Sequence, residues 1–284
     1  RAATELNLTQ SSISRQVAAL EQQIGKPLFI RRTRSLALTP AGQRLLSAVQ
    51  QSLQQIDRAV REIRAPGSPT RVTITTYASF ASLWLVPRLA MFQRAYPQIE
   101  IRIDAADRFI DVETEDVDVA IRWTRPASLP KDALPLVEEA VTPALSPLLL
   151  ERSEVRLKSP QDLFRLPLLE LDESMPTSAA SAWPRWFDFA RVRTTPPTPR
   201  MLFTFIDQSV QAAVRGQGVV LARTPFIDDL VASGDLVTPF PKLRMRTGYR
   251  YALIVSTRTR GAPHVAAFCD WVRAEFERGP LRQT

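Results

Sequence analysis

Between Thr9 and Gly25 the apolar residues Ile13, Val17, Leu20 and Ile24 recur at intervals of four, three and four, which puts them on one stripe of a helix over residues 10–23. Thr9 offers an N-cap oxygen, and Gly25 with Pro27 ends the helix. Before it, RAATELN reads as the end of a shorter helix packed through Ala2, Ala3 and Leu6, broken at Asn7, with Leu8 plugging the turn. Two short helices joined by a tight turn, the second opening TQSS, form a helix-turn-helix pattern. The runs LFIRR and SLALT around Thr33–Ser35 then predict two short strands, a basic hairpin or wing.

From Pro40 the text AGQRLLSAVQQSLQQIDRAVREIRA predicts a helix over residues 41–65. Leu46, Val49, Leu53, Ile56, Val60 and Ile63 are three or four residues apart throughout, and Gln and Arg fill most other positions. So narrow a stripe is a coiled-coil seam, and the favoured partner is the same helix of a second copy. Packing against the chain's own C-terminal part is the alternative, and it would favour a broader apolar face. After the linker APGSPT, strands at 71–78, 99–105, 117–122, 218–223 and 251–256 alternate with helices at 85–96, 205–215, 225–232 and 263–278. That alternation predicts an α/β domain of two small lobes with a ligand cleft between them.

Composition narrows the class. With 45% hydrophobic and 23% charged residues the chain is globular rather than disordered. One cysteine, Cys269, and one histidine, His264, exclude a disulfide framework and a conventional structural zinc site, so no metal or cofactor is expected. No apolar run approaches the roughly 18 residues of a membrane span, and the opening block has no secretory signature, so a cytoplasmic protein without a membrane partner is expected. Residues 1–65 hold 10 Lys/Arg against 4 Asp/Glu, net +6, and residues 66–284 hold 27 against 25, net +2. The excess is concentrated where the helix-turn-helix pattern lies, which suits a polyanion.

Two helix starts are candidate anion sites in the cleft: ASFAS at 78–82, with Ser79, Phe80 and Ser82, and the helix opening at Ile206–Ser209. Each serine can equally be an N-cap. Arg122 beside Trp123 suits a carboxylate ligand, or a surface ion pair over an apolar patch. A serine hydrolase is disfavoured, since no GxSxG is present and His264 is the only histidine. RGQGVV precedes a strand and is no dinucleotide loop. No catalytic residue is nominated. A pure solute-binding protein would explain residues 71–284 and leave the basic N-terminal quarter and the heptad helix unexplained.

The text AAxxLNLTQSSISRQVAALEQQIGKPLFIRR followed by LALTPAG resembles the LysR-type transcriptional regulators, and the resemblance extends across the chain. WLVPRLAMFQRAYPQIEIRI, VDVAIR and QAAVRGQGVVLARTPF are similar to the branch holding the glycine-cleavage and β-lactamase regulators. It implies a winged helix-turn-helix at 1–40, a dimerisation linker helix at 41–65, a hinge at 66–70, and a two-lobed α/β effector domain similar to type 2 periplasmic binding proteins. Lobe I would hold 71–142 and 243–284, and lobe II 143–242. About twenty further residues, including a first helix, would precede Arg1 in such a protein.

The resemblance also implies a regulator of promoter DNA, a homodimer or homotetramer of the cytoplasm and nucleoid, that answers to a small anionic or zwitterionic effector and has RNA polymerase as a further candidate partner. Gln10, Ser11, Ser14 and Arg15 match recognition-helix positions, and Arg31, Arg32 and Arg34 match the wing. Glutamine suits adenine, and arginine suits guanine or phosphate. Ser79, Ser209 and Tyr251 match cleft positions, with Phe80, Arg122 and Trp123 beside them. Trp123 and the TRP that follows depart from that branch, so its particular effectors do not carry over.

Overall fold

The computed structural model describes residues 9–32, 35–64, 70–106, 108, 110–172, 182–198 and 201–280. The chain divides into two compact units, one of Arg1–Ser68 with Thr114–Asp116 and one of Pro69–Glu113 with Val117–Thr284.

In the first unit, α1 (Gln10–Ile24) starts where the Thr9 side chain accepts the Ser12 N–H and stops at Gly25, which is left-handed at φ 75°. Ile13 and Val17 are half-buried, whereas Leu20 and Ile24 are exposed, so the described residues do not cover the whole stripe. β1 (Phe29–Arg32) and β2 (Ser35–Leu38) pair antiparallel in the register Phe29 to Leu38 through Arg32 to Ser35. The Glu21 carboxylate accepts the N–H groups of Leu28 (2.7 Å) and Phe29 (3.1 Å) and so ties α1 to the wing. α2 (Pro40–Arg64) begins as the Thr39 hydroxyl accepts the Gly42 N–H. A Cβ at Gly42 would stand 2.1 Å from the Leu28 carbonyl oxygen, so only glycine lets the helix meet the wing there. The segment before Thr9 and the turn at Thr33 and Arg34 lie outside the described residues.

The second unit is built on one eight-stranded sheet in the order β4-β3-β5-β10-β6-β9-β7-β8. The strands are β3 (Thr70–Thr76), β4 (Ile99–Ala105), β5 (Val119–Thr124), β6 (Leu134–Ala144), β7 (Leu168–Leu171), β8 (Met201–Phe203), β9 (Val219–Arg223) and β10 (Met245–Val255). β3 runs parallel to β4 and β5, β7 parallel to β8 and β9, and β10 antiparallel to β5 and β6. Two lobes result. In lobe I, Phe80, Trp84, Phe92, Phe268 and Trp271 form an aromatic core over β3, β5 and β10, packed by α3 (Val86–Ala95) and the C-terminal helix Pro263–Arg278. A three-residue helical turn and a π-helical stretch, Ala81–Leu85, lead from Tyr77 into α3. Lobe II buries Trp183, Trp186 and Phe187 in one core and Val210, Val220, Ile227 and Leu236 in another.

β6 and β10 cross between the lobes. Met245 packs in lobe II and Leu253 in lobe I, while Leu136 packs in lobe I and Val141 in lobe II. The register between them jumps at Arg246–Arg250, where Gly248 takes φ 82°. The strand pattern in the sequence did not mark β6, because Pro135, Pro143 and the Glu138–Glu139 pair interrupt its alternation. Among the described residues no helix is long and apolar enough to cross a membrane.

Candidate functional site

On α1 the side chains of Gln10, Ser11, Ser14 and Arg15 are all exposed. Arg15 is about a half-turn from Val17, so it points away from the half-buried stripe. The strand backbones of Arg31 and Arg32 are set in the wing, but their side chains, and all of Arg34, lie outside the described residues. Along α2, Leu46 (41%), Val49 (45%), Leu53 (55%) and Ile56 (57%) stand exposed on one stripe and Val60 is half-buried; the Ile63 side chain lies outside the described residues.

The cleft of the second unit is closed by contacts between its lobes. Ser79 Oγ donates to Asp207 Oδ1 at 2.8 Å, and the Asp207 N–H donates back to Ser79 Oγ at 3.3 Å. Asp207 is in the first turn of the helix Ile206–Val214, so its own carboxylate sits where an anionic ligand of that helix would. Ile206 and Leu83 each pack against the cores of both lobes. Ser209, 1% exposed, donates its hydroxyl to Ile206 O at 2.7 Å within the same turn.

Phe80, Trp123 and Tyr251 share one face of the sheet. Phe80 and Tyr251 rings are 5.3 Å apart, Phe226 joins both, and Trp123 is the direct cross-strand partner of Tyr251. Trp123 stacks on Tyr249 at 3.9 Å and carries the Arg223 guanidinium 5.5 Å above its ring. Arg223 is bound to Glu139 at 3.1 Å, and Thr247 donates to the other oxygen of Glu139, so this buried pair joins the crossover strands to β9. Among the described residues the indole N–H of Trp123 and the hydroxyl of Thr76, both buried, have no hydrogen-bond partner. Burial, followed by the Glu139 charge, pushes the Tyr251 phenol well above its ordinary range, so it stays neutral.

Arg122 stands apart from this group. Alternation along β5 sends it to the face opposite Trp123, where it donates to Thr75 Oγ1 at 2.9 Å and lies 5.5 Å from the Tyr77 ring. The structure thus groups Phe80, Trp123 and Tyr251 with Arg223 and Glu139, and pairs Ser79 with Asp207; sequence reasoning missed Asp207, Arg223 and Glu139. An acidic residue in the first turn of the helix was the available signal for Asp207. A separate cavity of about 710 Å³ lies in lobe II between Trp183, Phe187, Asp188 and Leu202; none of the nominated cleft residues lines it.

Family models match both parts of the chain: "Bacterial regulatory helix-turn-helix protein, lysR family" over residues 1–43 and "LysR substrate binding domain" over 66–277. The chain is 35% identical to the glycine cleavage system transcriptional activator of Escherichia coli (strain K12) over 97% of its length and 88% of the relative's. It is 32% identical to the HTH-type transcriptional activator AmpR of Rhodobacter capsulatus, over 97% of this chain and 91% of that one. The effector domain of AmpR of Pseudomonas aeruginosa superposes with a TM-score of 0.57 at 28% identity, covering 74% of this chain and 96% of that domain. CrgA of Neisseria meningitidis, at 22% identity and TM-score 0.57, shares the fold over 97% of this chain and 92% of its own. The chain therefore belongs to the LysR family of bacterial transcriptional regulators, proteins that bind DNA through the helix-turn-helix and an effector through the two-lobed domain, and it is not an enzyme.

Proposed function

We propose that this regulator answers to a small zwitterionic ligand, of amino-acid type, seated between the lobes with its ammonium on Asp207. The observation that carries the reading is the Ser79–Asp207 pair across the cleft. A carboxylate already at the helix start repels a purely anionic ligand and welcomes a cation, and one hydroxyl donor leaves most of its acceptor capacity free. The Trp123 indole N–H and the Thr76 hydroxyl, buried and without partners among the described residues, are donors suited to the ligand's carboxylate. Phe80 and Tyr251 supply the apolar wall. Lobe I then comprises 71–142 with 243–284, and lobe II 143–242, with Val141 and Met245 at the boundary of lobe I reaching across to pack on the lobe II core.

On the DNA side, Gln10 and Arg15 read base edges, Ser11 and Ser14 hold the backbone, and Arg31, Arg32 and Arg34 reach phosphates. α2 pairs with its copy through Leu46, Val49, Leu53, Ile56, Val60 and Ile63, and the paired chains bind a two-half-site operator in the cytoplasm. The exposed apolar seam on α2 supports the pairing.

Calorimetry with a panel of amino acids and their amine-free acid analogues tests the ligand class. Amino acids should bind more tightly, and Asp207→Asn should weaken them by about 1.5–3 kcal/mol, the value of a charged hydrogen bond. Equal affinity for amine-free acids, unchanged by Asp207→Asn, would refute the zwitterion. A loss confined to Arg122→Ala would move the carboxylate seat to the other face of β5.

A further inference from the structure

Arg88, near the start of α3, is 1% exposed and makes a two-pronged ion pair. Its Nη1 and Nη2 donate to Asp229 Oδ2 and Oδ1 at 2.6 and 2.8 Å, Nη1 also donates to the Trp84 carbonyl at 3.1 Å, and the guanidinium lies 4.6 Å above the Trp84 ring. Arg88 belongs to lobe I, where its helix packs on the aromatic core. Asp229 belongs to the short helix Asp228–Ala232, whose Leu230 and Val231 pack on the lobe II core. The pair is therefore a second tie between the lobes, beside Ser79–Asp207.

The other edge of the same guanidinium faces a different carboxylate. Among the described residues Arg88 Nε is buried with no hydrogen-bond partner, and so is Glu275 Oε2, its ion-pair partner 4.0 Å away. Glu275, 1% exposed, comes from the C-terminal helix of lobe I and uses its other oxygen for Arg278. A buried donor facing a buried acceptor across an ion pair too long for a hydrogen bond is a bond left open, and a movement of about 1 Å would close it. One guanidinium thus has two carboxylates, one in each lobe, and its present position satisfies fully only that of lobe II.

We propose that Arg88 is a two-position clasp that sets the balance between closed and parted lobes. In the closed form it grips Asp229. When the lobes part, Asp229 leaves with lobe II while Glu275 stays beside Arg88, and the Nε–Oε2 bond closes. The guanidinium never becomes an isolated buried charge, which is the outcome that would otherwise oppose opening. Discrete alternative pairing of this kind gives a domain two defined states in place of a continuum. The inference rests on the reading that the lobes open and close around a ligand, and its test needs neither ligand nor DNA, so an error in the ligand class leaves it standing or falling alone.

Exposed Arg102 on β4 and exposed Lys158 in lobe II, each replaced by cysteine and spin-labelled, report the lobe separation by pulsed electron resonance in the ligand-free full chain; Cys269 is buried. Asp229→Asn should raise the parted population roughly tenfold, the shift expected when one state loses a strong contact. Glu275→Gln should do the opposite and leave a single short distance. Asp229→Glu, which keeps the carboxylate, should fall back toward the parent distribution. A distribution indifferent to Asp229→Asn overturns the proposal. So does one that Glu275→Gln broadens as Asp229→Asn does, since two variants acting alike would mean that both merely loosen the core. If Asp229→Asn does not fold, the narrowing or broadening produced by Glu275→Gln decides alone.

Discussion

The two units of this chain treat apolar side chains in opposite ways. Among the described residues the first unit buries one large hydrophobic side chain, Leu28, and leaves Leu20, Ile24, Ile30, Leu36, Leu46, Val49, Leu53 and Ile56 exposed. The second unit, three times as long, buries several cores and, among its described residues, exposes only Val86, Leu148, Phe189 and Leu202 from the same class. A chain that exposes a regular row of such residues is built to bury them elsewhere. The effector unit folds around itself. The DNA-binding unit leaves its row uncovered, and the pairing proposed above would bury it against a second copy.

The largest effect should come from the seam that makes this contrast. Val49→Asp with Ile56→Asp places like charges at the centre of a paired α2, each losing water as the helices meet. Self-association should weaken by more than about 3 kcal/mol, over a hundredfold, and affinity for a two-half-site operator should fall with it. The melting temperature of the effector unit should not change, because neither residue belongs to its cores. Sedimentation velocity and a thermal melt of one sample check both halves. A dimer that survives would show that the row is covered within one chain and would dissolve the comparison.

The contrast also explains what was legible in the sequence. Some elements whose signal is periodicity were readable to a residue or so: the helix expected at 41–65 runs Pro40–Arg64, the strand expected at 99–105 is Ile99–Ala105, and the helix at 263–278 is Pro263–Arg278. Others were displaced, as the strand expected at 251–256 runs Met245–Val255, that at 117–122 runs Val119–Thr124, and the helix at 225–232 is only Asp228–Ala232. β6 was not readable. Its Glu139 is fully buried, but only because Arg223 from a distant strand neutralises it, and nothing near it in sequence announces that partner. Of its prolines, Pro135 pairs with Ala252 at a register shift, while Pro143 pairs with Leu221 in regular register. Asp207, Arg88 and Asp229 were hidden for the same reason, since each acquires its role from a residue more than a hundred positions away. Ser79, Phe80 and Trp123 could be nominated because each lies near a helix or strand end, and Tyr251, in the middle of β10, because it matches a cleft position of the family the sequence resembles. Which face each would take at the cleft depended on register, and Arg122 went to the other side.

A smaller effect separates the two kinds of DNA contact within the first unit. Gln10→Ala, at the exposed start of α1, should reduce discrimination at one base step by about 1–3 kcal/mol and leave the salt slope nearly unchanged. Arg34→Ala should weaken operator and random DNA alike and lower the slope by roughly one unit, as one phosphate contact is lost. Binding to both DNAs across a salt series distinguishes them. If Gln10→Ala weakens every sequence equally while Arg34→Ala alone alters preference, the helix and the wing have exchanged roles.

The smallest effect concerns a charge inside the self-sufficient unit. Burial raises the carboxyl of Asp228 above its ordinary value of 3.8, and Arg244, 4.0 Å away, only partly offsets it. A folded-state pKa above the unfolded one means that the native protein holds the proton more tightly. Asp228 therefore favours the fold when protonated, and that contribution is lost as pH rises through the folded value. At neutral pH the ionised carboxylate is a modest burden. Asp228→Asn removes the ionisation and keeps the shape, so its stability relative to the parent should rise with pH across the acid range and level off above it. Urea unfolding at several pH values between about 3 and 7 reads the difference directly. A variant less stable than its parent at pH 7 would show that the Arg244 interaction outweighs burial. The same series on Val49→Asp with Ile56→Asp has a different signature, because a stability borrowed from a partner depends on protein concentration, whereas that of the effector unit should not.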